Sequence, residues 1–175
     1  PVVYNCGGYE SVHTVAFLKN KVQCWLPDLK YADSSAAARY SDAPDYFEKA
    51  TAAIEQMFRQ TGPYEIDSSG ILRKGVLIRH LILPGQVENT KKVLEYVADT
   101  FAPGEVLFSL MRQYVPCGRA AEYPEINRPI TDEEYEECES YMEELGIVDG
   151  YVQQKASSDK MFIPAFDGTG VLKEK

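Results

Sequence analysis

With 175 residues, 45% of them hydrophobic and 26% charged, the chain has the make-up of one globular domain with room for a sizeable core. A formal charge of −9 argues against nucleic acid as a partner, because phosphate recognition needs a basic face. No apolar run approaches the roughly 20 residues that span a bilayer, and the first residues do not read as a signal peptide, so a cytoplasmic protein is expected.

Residues 2–4 read as a strand and 5–8 as a turn permitted by Gly7 and Gly8. A strand at the very start predicts that the chain is a piece of a longer one. Residues 11–19 read as a helix with Val12, Val15, Ala16 and Leu18 inward, and 22–26 as the next strand. Pro44 introduces a long helix over 46–60, whose inner face is Phe47, Ala50, Ile54, Met57 and Phe58. Residues 65–72 read as a loop or small hairpin ended by Gly75. The nearly continuous apolar run 76–83 has the signature of a buried parallel strand. Asn89 or Thr90 is the expected cap of a helix reaching Phe101, and 106–114 the strand after it. Thr131-Asp132-Glu133-Glu134 is a capping box that opens a helix ending at Gly146. A short strand over 150–153 closes a domain of residues 1–153, and 154–175 is expected to be an extended tail.

This alternation of strands and helices predicts right-handed crossovers and a mostly parallel sheet. Four or five strands are too few to close an eight-stranded barrel. The expected fold is therefore α/β, an open or partial barrel with outer helices.

Ligands of such folds sit at the carboxyl ends of the strands, where the loops converge. Asp28 and Lys30 are two residues apart, so a strand turns both to one side; the plainer reading is a surface ion pair. Arg79 interrupts an apolar strand and must be paired or face a cavity. Together they predict a mouth with two cations and one carboxylate, suited to an amino-acid-like or phosphate-like ligand. His80 points the other way and reads as a packing histidine, and Cys6 as a small packing residue. Of the strand that ends at Tyr114, either Arg112 with Tyr114 or Met111 with Gln113 lines the mouth. Cys6, Cys24, Cys117 and Cys138 lack the spacing of a disulfide framework or a zinc site. Phosphate-loop, dinucleotide and H-E-x-x-H motifs are absent, as is a serine triad order. These are binding groups without a catalytic engine.

The ordered segments PVVYNCGGYES, WLPDLKY with the following AARYSDAPDYF, EQMFRQTG, GVLIRHLILPG and SLMRQYVP resemble the later part of a radical S-adenosylmethionine enzyme, in particular the homologues of pyruvate formate-lyase activating enzyme. The resemblance implies half to three-quarters of a TIM barrel with S-adenosyl-L-methionine across the strand ends. Asn5 falls where activating enzymes carry an aspartate near the cofactor. Asp28 and Lys30 fall on the strand that contacts its ribose and methionine parts. Arg79 falls on the arginine of the family's I-R-x-x-x-x-P-G strand, and Leu81 on the residue that touches adenine. Gln113 and Tyr114 stand where the family has a late histidine, which implies a different substrate.

The family's C-x-x-x-C-x-x-C loop, whose thiolates hold a [4Fe-4S] cluster, does not occur in this sequence, and neither does its Gly-Gly-Glu segment. The cluster ligands are thus expected outside the chain, which should not cleave the cofactor alone. By the resemblance, the intact enzyme cleaves S-adenosylmethionine reductively to a 5'-deoxyadenosyl radical for hydrogen abstraction. Its partners would be an electron donor such as flavodoxin or ferredoxin and a glycyl-radical protein or small substrate. The fragment itself would cover its exposed sheet edge by forming a homodimer. The alternative is a degenerate barrel that serves as a binding or scaffold module.

Overall fold

The apolar run that approaches Leu83 is the middle of the sheet. The computed structural model describes residues 1–152, and the tail expected over 154–175 lies outside them. Five parallel strands, β1 (Val3–Cys6), β2 (Cys24–Pro27), β4 (Leu72–Leu81), β5 (Leu107–Met111) and β6 (Gly150–Val152), stand side by side in chain order. A two-residue strand, β3 (Glu65–Ile66), pairs antiparallel with the start of β4. Because each strand lies next to its predecessor, right-handed crossovers put every helix on one face. The result is the expected partial barrel, with one face of the sheet packed and one open.

Five helices coat the packed face: α1 (Val12–Phe17), α2 (Ser34–Ser41), α3 (Tyr46–Thr61), α4 (Val87–Thr100) and α5 (Asp132–Glu144). They form a continuous layer. Gln60 of α3 donates to Val15 O of α1 at 2.8 Å. The Phe47 and Tyr96 rings join α3 to α4 edge-on at 5.4 Å, and Lys91 of α4 reaches Glu137 of α5 at 2.7 Å.

Alternation along β4 sets what each face carries. Val76, Ile78, His80 and Ile82 are fully buried against the helices, among Ile54, Met57, Val93 and Leu94. Leu77, Arg79 and Leu81 are only half-buried, on the open face. Burying the first set is the main drive for this layer, at about 1.5–3 kcal/mol for each large aliphatic side chain.

Several boundaries differ from the sequence-based expectation. β1 continues through Asn5 and Cys6, which pair in register with Leu26 and Pro27 of β2. β4 begins at Leu72 and runs through Gly75, whose φ of +127° and close approach to Tyr64 need a glycine; a Cβ there would lie 2.7 Å from Tyr64 Cα. α2 was not expected; Asp33 caps it by accepting from the N–H groups of Ser35 and Ala36. α1 is only six residues long and buries Val15, while Val12 is 40% and Phe17 73% exposed. α4 starts at Val87, ahead of Asn89 and Thr90, and β5 ends at Met111, before Tyr114. Among the described residues no helix is long and apolar enough to cross a membrane.

Candidate functional site

Past Pro27 the chain keeps the line of β2 for three more residues. Asp28 N–H donates to Cys6 O at 2.9 Å on one side, and Leu29 N–H to Arg79 O at 2.8 Å on the other. Asp28 and Lys30 therefore emerge between the ends of β1 and β4, on the open face. Arg79 Nη2 donates to Asp28 Oδ1 and to Asn5 Oδ1, each at 2.6 Å. Lys30 Nζ stands 3.6 Å from Asp28 Oδ2. Leu81, two residues beyond Arg79, supplies an apolar shelf on the same side of β4. The cluster carries two cations against one carboxylate, a local excess of positive charge in a chain of formal charge −9. Arg79 Nε is buried and has no acceptor among the described residues. A buried donor of that kind calls for a partner.

Three residues outside the predicted set shape this mouth. Tyr46, buried at the start of α3, places its hydroxyl 2.8 Å from both Gly7 O and Asp28 O and accepts Lys30 N–H at 3.1 Å. Burial pushes its phenol well above the usual range. Gly8 lies flat over the same peptide, where a Cβ would sit 1.9 Å from Asp28 O, and its φ is +81°. Asn89 accepts the N–H groups of Ala32 and Asp33 at 2.8 and 3.1 Å and donates to Lys30 O at 3.0 Å. It is a buried clamp on the loop after Lys30, where the sequence suggested a helix cap. Tyr46 and Asn89 act across 16 and 59 residues from Lys30, so no local pattern could reveal them.

From the helix side, His80 completes the frame. Its Nδ1 is 2.6 Å from Leu29 O and its Nε2 2.9 Å from Thr90 Oγ1. A neutral ring that donates at Nδ1 and accepts at Nε2 satisfies both. Burial holds its pKa down to about 4.

The structure brings Asn5, Asp28, Lys30, Arg79 and Leu81 to one place. Gln113 sits farther along the rim, past the end of β5, with its amide 3.9 Å from Met111 Sδ. Met111 pairs in register with Leu81, so Met111 and Gln113 are on the open side. Arg112 turns to the helices, where it meets Asp132 at 2.6 Å and lies over the Tyr135 ring. Cys6 packs against the core, and burial raises its thiol pKa. Among the described residues, no group of three cysteine, histidine or acidic side chains could hold a metal ion.

No family model matches the chain. It is 30% identical over 141 residues to an uncharacterised protein of Methanocaldococcus jannaschii, an alignment that takes in 79% of this chain and 36% of that protein. The chain thus spans about a third of the length of the curated relative that it matches. Its fold is similar to that of the crystal structure of a domain of pyruvate-formate lyase-activating enzyme from Bacteroides vulgatus, with a TM-score of 0.55 and 17% identity over 81% of this chain and 74% of that one. At that identity the likeness is one of fold.

Proposed function

We propose that the mouth at the ends of β1, β2 and β4 binds S-adenosylmethionine, and that the chain is the cofactor-holding part of a radical enzyme related to pyruvate formate-lyase activating enzyme. The observation that carries this reading is the Asn5–Arg79–Asp28–Lys30 cluster on the open side of a partial barrel, with Leu81 beside it.

The residues present fit such a ligand. Asp28 can accept from ribose hydroxyls, as a carboxylate held by Arg79 at 2.6 Å stays where the sugar needs it. Lys30, with its side chain 45% exposed, can turn to a carboxylate of the ligand. The Nε–H of Arg79 is a further donor, and Leu81 offers a surface for a flat base. When bound, the sulfonium compound would supply the carbon–sulfur bond that the chemistry breaks; these side chains orient it. A [4Fe-4S] cluster does not fit the described residues. Cys24 and Cys138 are buried and Cys6 packs against the core, so no three thiolates converge. Its ligands, its electron donor and the hydrogen-atom donor, a glycyl-radical protein or a small substrate, would come from outside them.

Calorimetric titration of the full chain with S-adenosylmethionine tests the reading. Binding is expected, and Asp28→Asn should weaken it at least tenfold, since a charge-assisted contact contributes roughly 1.5–3 kcal/mol. Saturable binding that survives both Asp28→Asn and Lys30→Ala would place the ligand elsewhere. No binding to the folded wild-type chain would leave the barrel as a scaffold module.

A further inference from the structure

We propose that a cup of tyrosine rings at the carboxyl-terminal edge of the sheet is a second binding site, for a small, neutral, planar ring. It holds about 200 Å³ and is walled by Tyr31, Tyr40, Leu83, Tyr114, Tyr123 and Ile126. That volume is below the roughly 300–1,000 Å³ of sites for drug-sized molecules, and suits one or two fused rings.

The hydroxyls of three of the four wall tyrosines are already engaged. Tyr31 OH is 2.9 Å from Ser41 Oγ, Tyr40 OH donates to Glu125 Oε1 at 3.0 Å, and Tyr114 OH donates to Ile126 O at 2.9 Å. What the wall offers is therefore mainly ring surface and aliphatic carbon, with Arg119 and Cys117 beside it. Tyr40 and Tyr123 already meet edge-to-face at 5.4 Å, the geometry that an added ring would extend. Charge at the rim is cancelled: Arg39 is 2.7 Å from Glu125, and Arg119 is 2.8 Å from Glu122. Neither an anion nor a cation is favoured over a neutral group. Leu83 lies two residues beyond Leu81, so the cup opens roughly 13 Å along the strand line from Arg79, at four residues of ~3.3 Å each. The cup is thus offset along the sheet from the charged mouth, to which Tyr31 joins it by packing edge-on against Tyr46 at 5.4 Å.

Cys117 lies on the cup and is exposed, and it makes a built-in reporter; Cys24 and Cys138 are buried. Indole is the probe. Alkylation of the full chain by iodoacetamide, followed thiol by thiol by peptide mass spectrometry, should slow at least fivefold at Cys117 when indole saturates the cup. The rate at Cys6 should be unchanged. Ala120→Leu, at a buried position lining the cup, should abolish the protection while the far-ultraviolet dichroism stays that of wild type. Asp28→Asn should leave it intact, which separates this site from the mouth. Stronger protection by N-acetyltryptophan amide than by indole would assign the ring to a protein side chain, and the reverse order to a free small molecule. The proposal is overturned if folded wild-type chain shows no protection. It is overturned equally if benzoate, benzyltrimethylammonium or cyclohexanol protects as well as indole.

Discussion

The imidazole of His80 and the guanidinium of Arg79 hold the same three residues from opposite sides of the sheet. His80 takes Leu29 O from the helix side, and Arg79 takes the Asp28 carboxylate from the open side. The 28–30 segment is therefore fixed at backbone and side chain before any ligand arrives, the kind of support that a precise binding site requires. A pH dependence follows. The folded state keeps His80 neutral down to about 4, against 6.5 for a free imidazole. Above pH 6.5 neither state is protonated and stability is fully present. As pH falls from 6.5 toward 4 the unfolded chain takes up a proton that the folded one refuses, and stability is lost. Between pH 6.5 and 5 the loss should be about 2 kcal/mol, at roughly 1.4 kcal/mol per pH unit. Urea melts over that range should show the drop, and His80→Asn should flatten it. A wild-type midpoint that stays constant down to pH 5 would contradict the burial argument.

At the scale of elements, α5 shows how local sequence and tertiary contact share one residue. Thr131 accepts Glu134 N–H at 3.2 Å, and the Glu134 carboxylate returns to Thr131 N–H at 2.9 Å, a complete capping box. The same carboxylate also binds Arg128 at 2.7 Å and Gly85 N–H at 2.7 Å, which ties α5 to the turn after β4. Arg128 holds its pKa down to about 2. Thr131→Ala removes only the cap and should cost about 1 kcal/mol. Glu134→Gln breaks the charge-assisted contacts as well and should cost more. Thermal melts of the two variants would rank them, and equal losses would show that the tertiary contacts of Glu134 contribute nothing. α2 and α4 teach the complementary lesson. Asp33 and Asn89 are both good capping residues, yet Asp33 caps a helix while Asn89 is spent on a loop, because a buried amide finds its partners wherever the fold puts them.

For the whole molecule, the lone tryptophan is a convenient witness. Trp25 is fully buried on β2, under the helix layer and 5.2 Å from the Tyr4 ring. Since one core runs from Val15 and Trp25 to Tyr135 and Met142, the described residues should unfold as a unit. Trp25 emission should be blue-shifted in the native state. Its urea transition should coincide with loss of helix by circular dichroism; two separated midpoints would divide the core. The open face, by contrast, carries no helix layer among the described residues. Val2 and Val3 at the edge strand β1 are 54% and 53% exposed, which is where the sequence reading expected a second copy to pair.

What the sequence determined by itself is what periodicity and short motifs can carry. The long helix expected over 46–60, the capping box of α5 and the pairing of Asp28 with Lys30 rest on patterns within about fifteen residues or on alternation along one strand, and Arg79 joins them because the strands of a parallel sheet end on one side. The run 76–83 announced a buried strand because it is apolar on both faces, and Arg79 stood out for the same reason. Tertiary structure decided the rest. That Asn5 joins Arg79, that Tyr46 and Asn89 clamp the turns around Asp28 and Lys30, and that two pairs of tyrosines from distant parts of the chain close one cup all depend on contacts across the sheet. So did the direction of Arg112, since its ion pair with Asp132 crosses the loop before α5. Such contacts are chosen by which buried polar groups still need partners once the core has formed, and that is known only when the whole chain is in place.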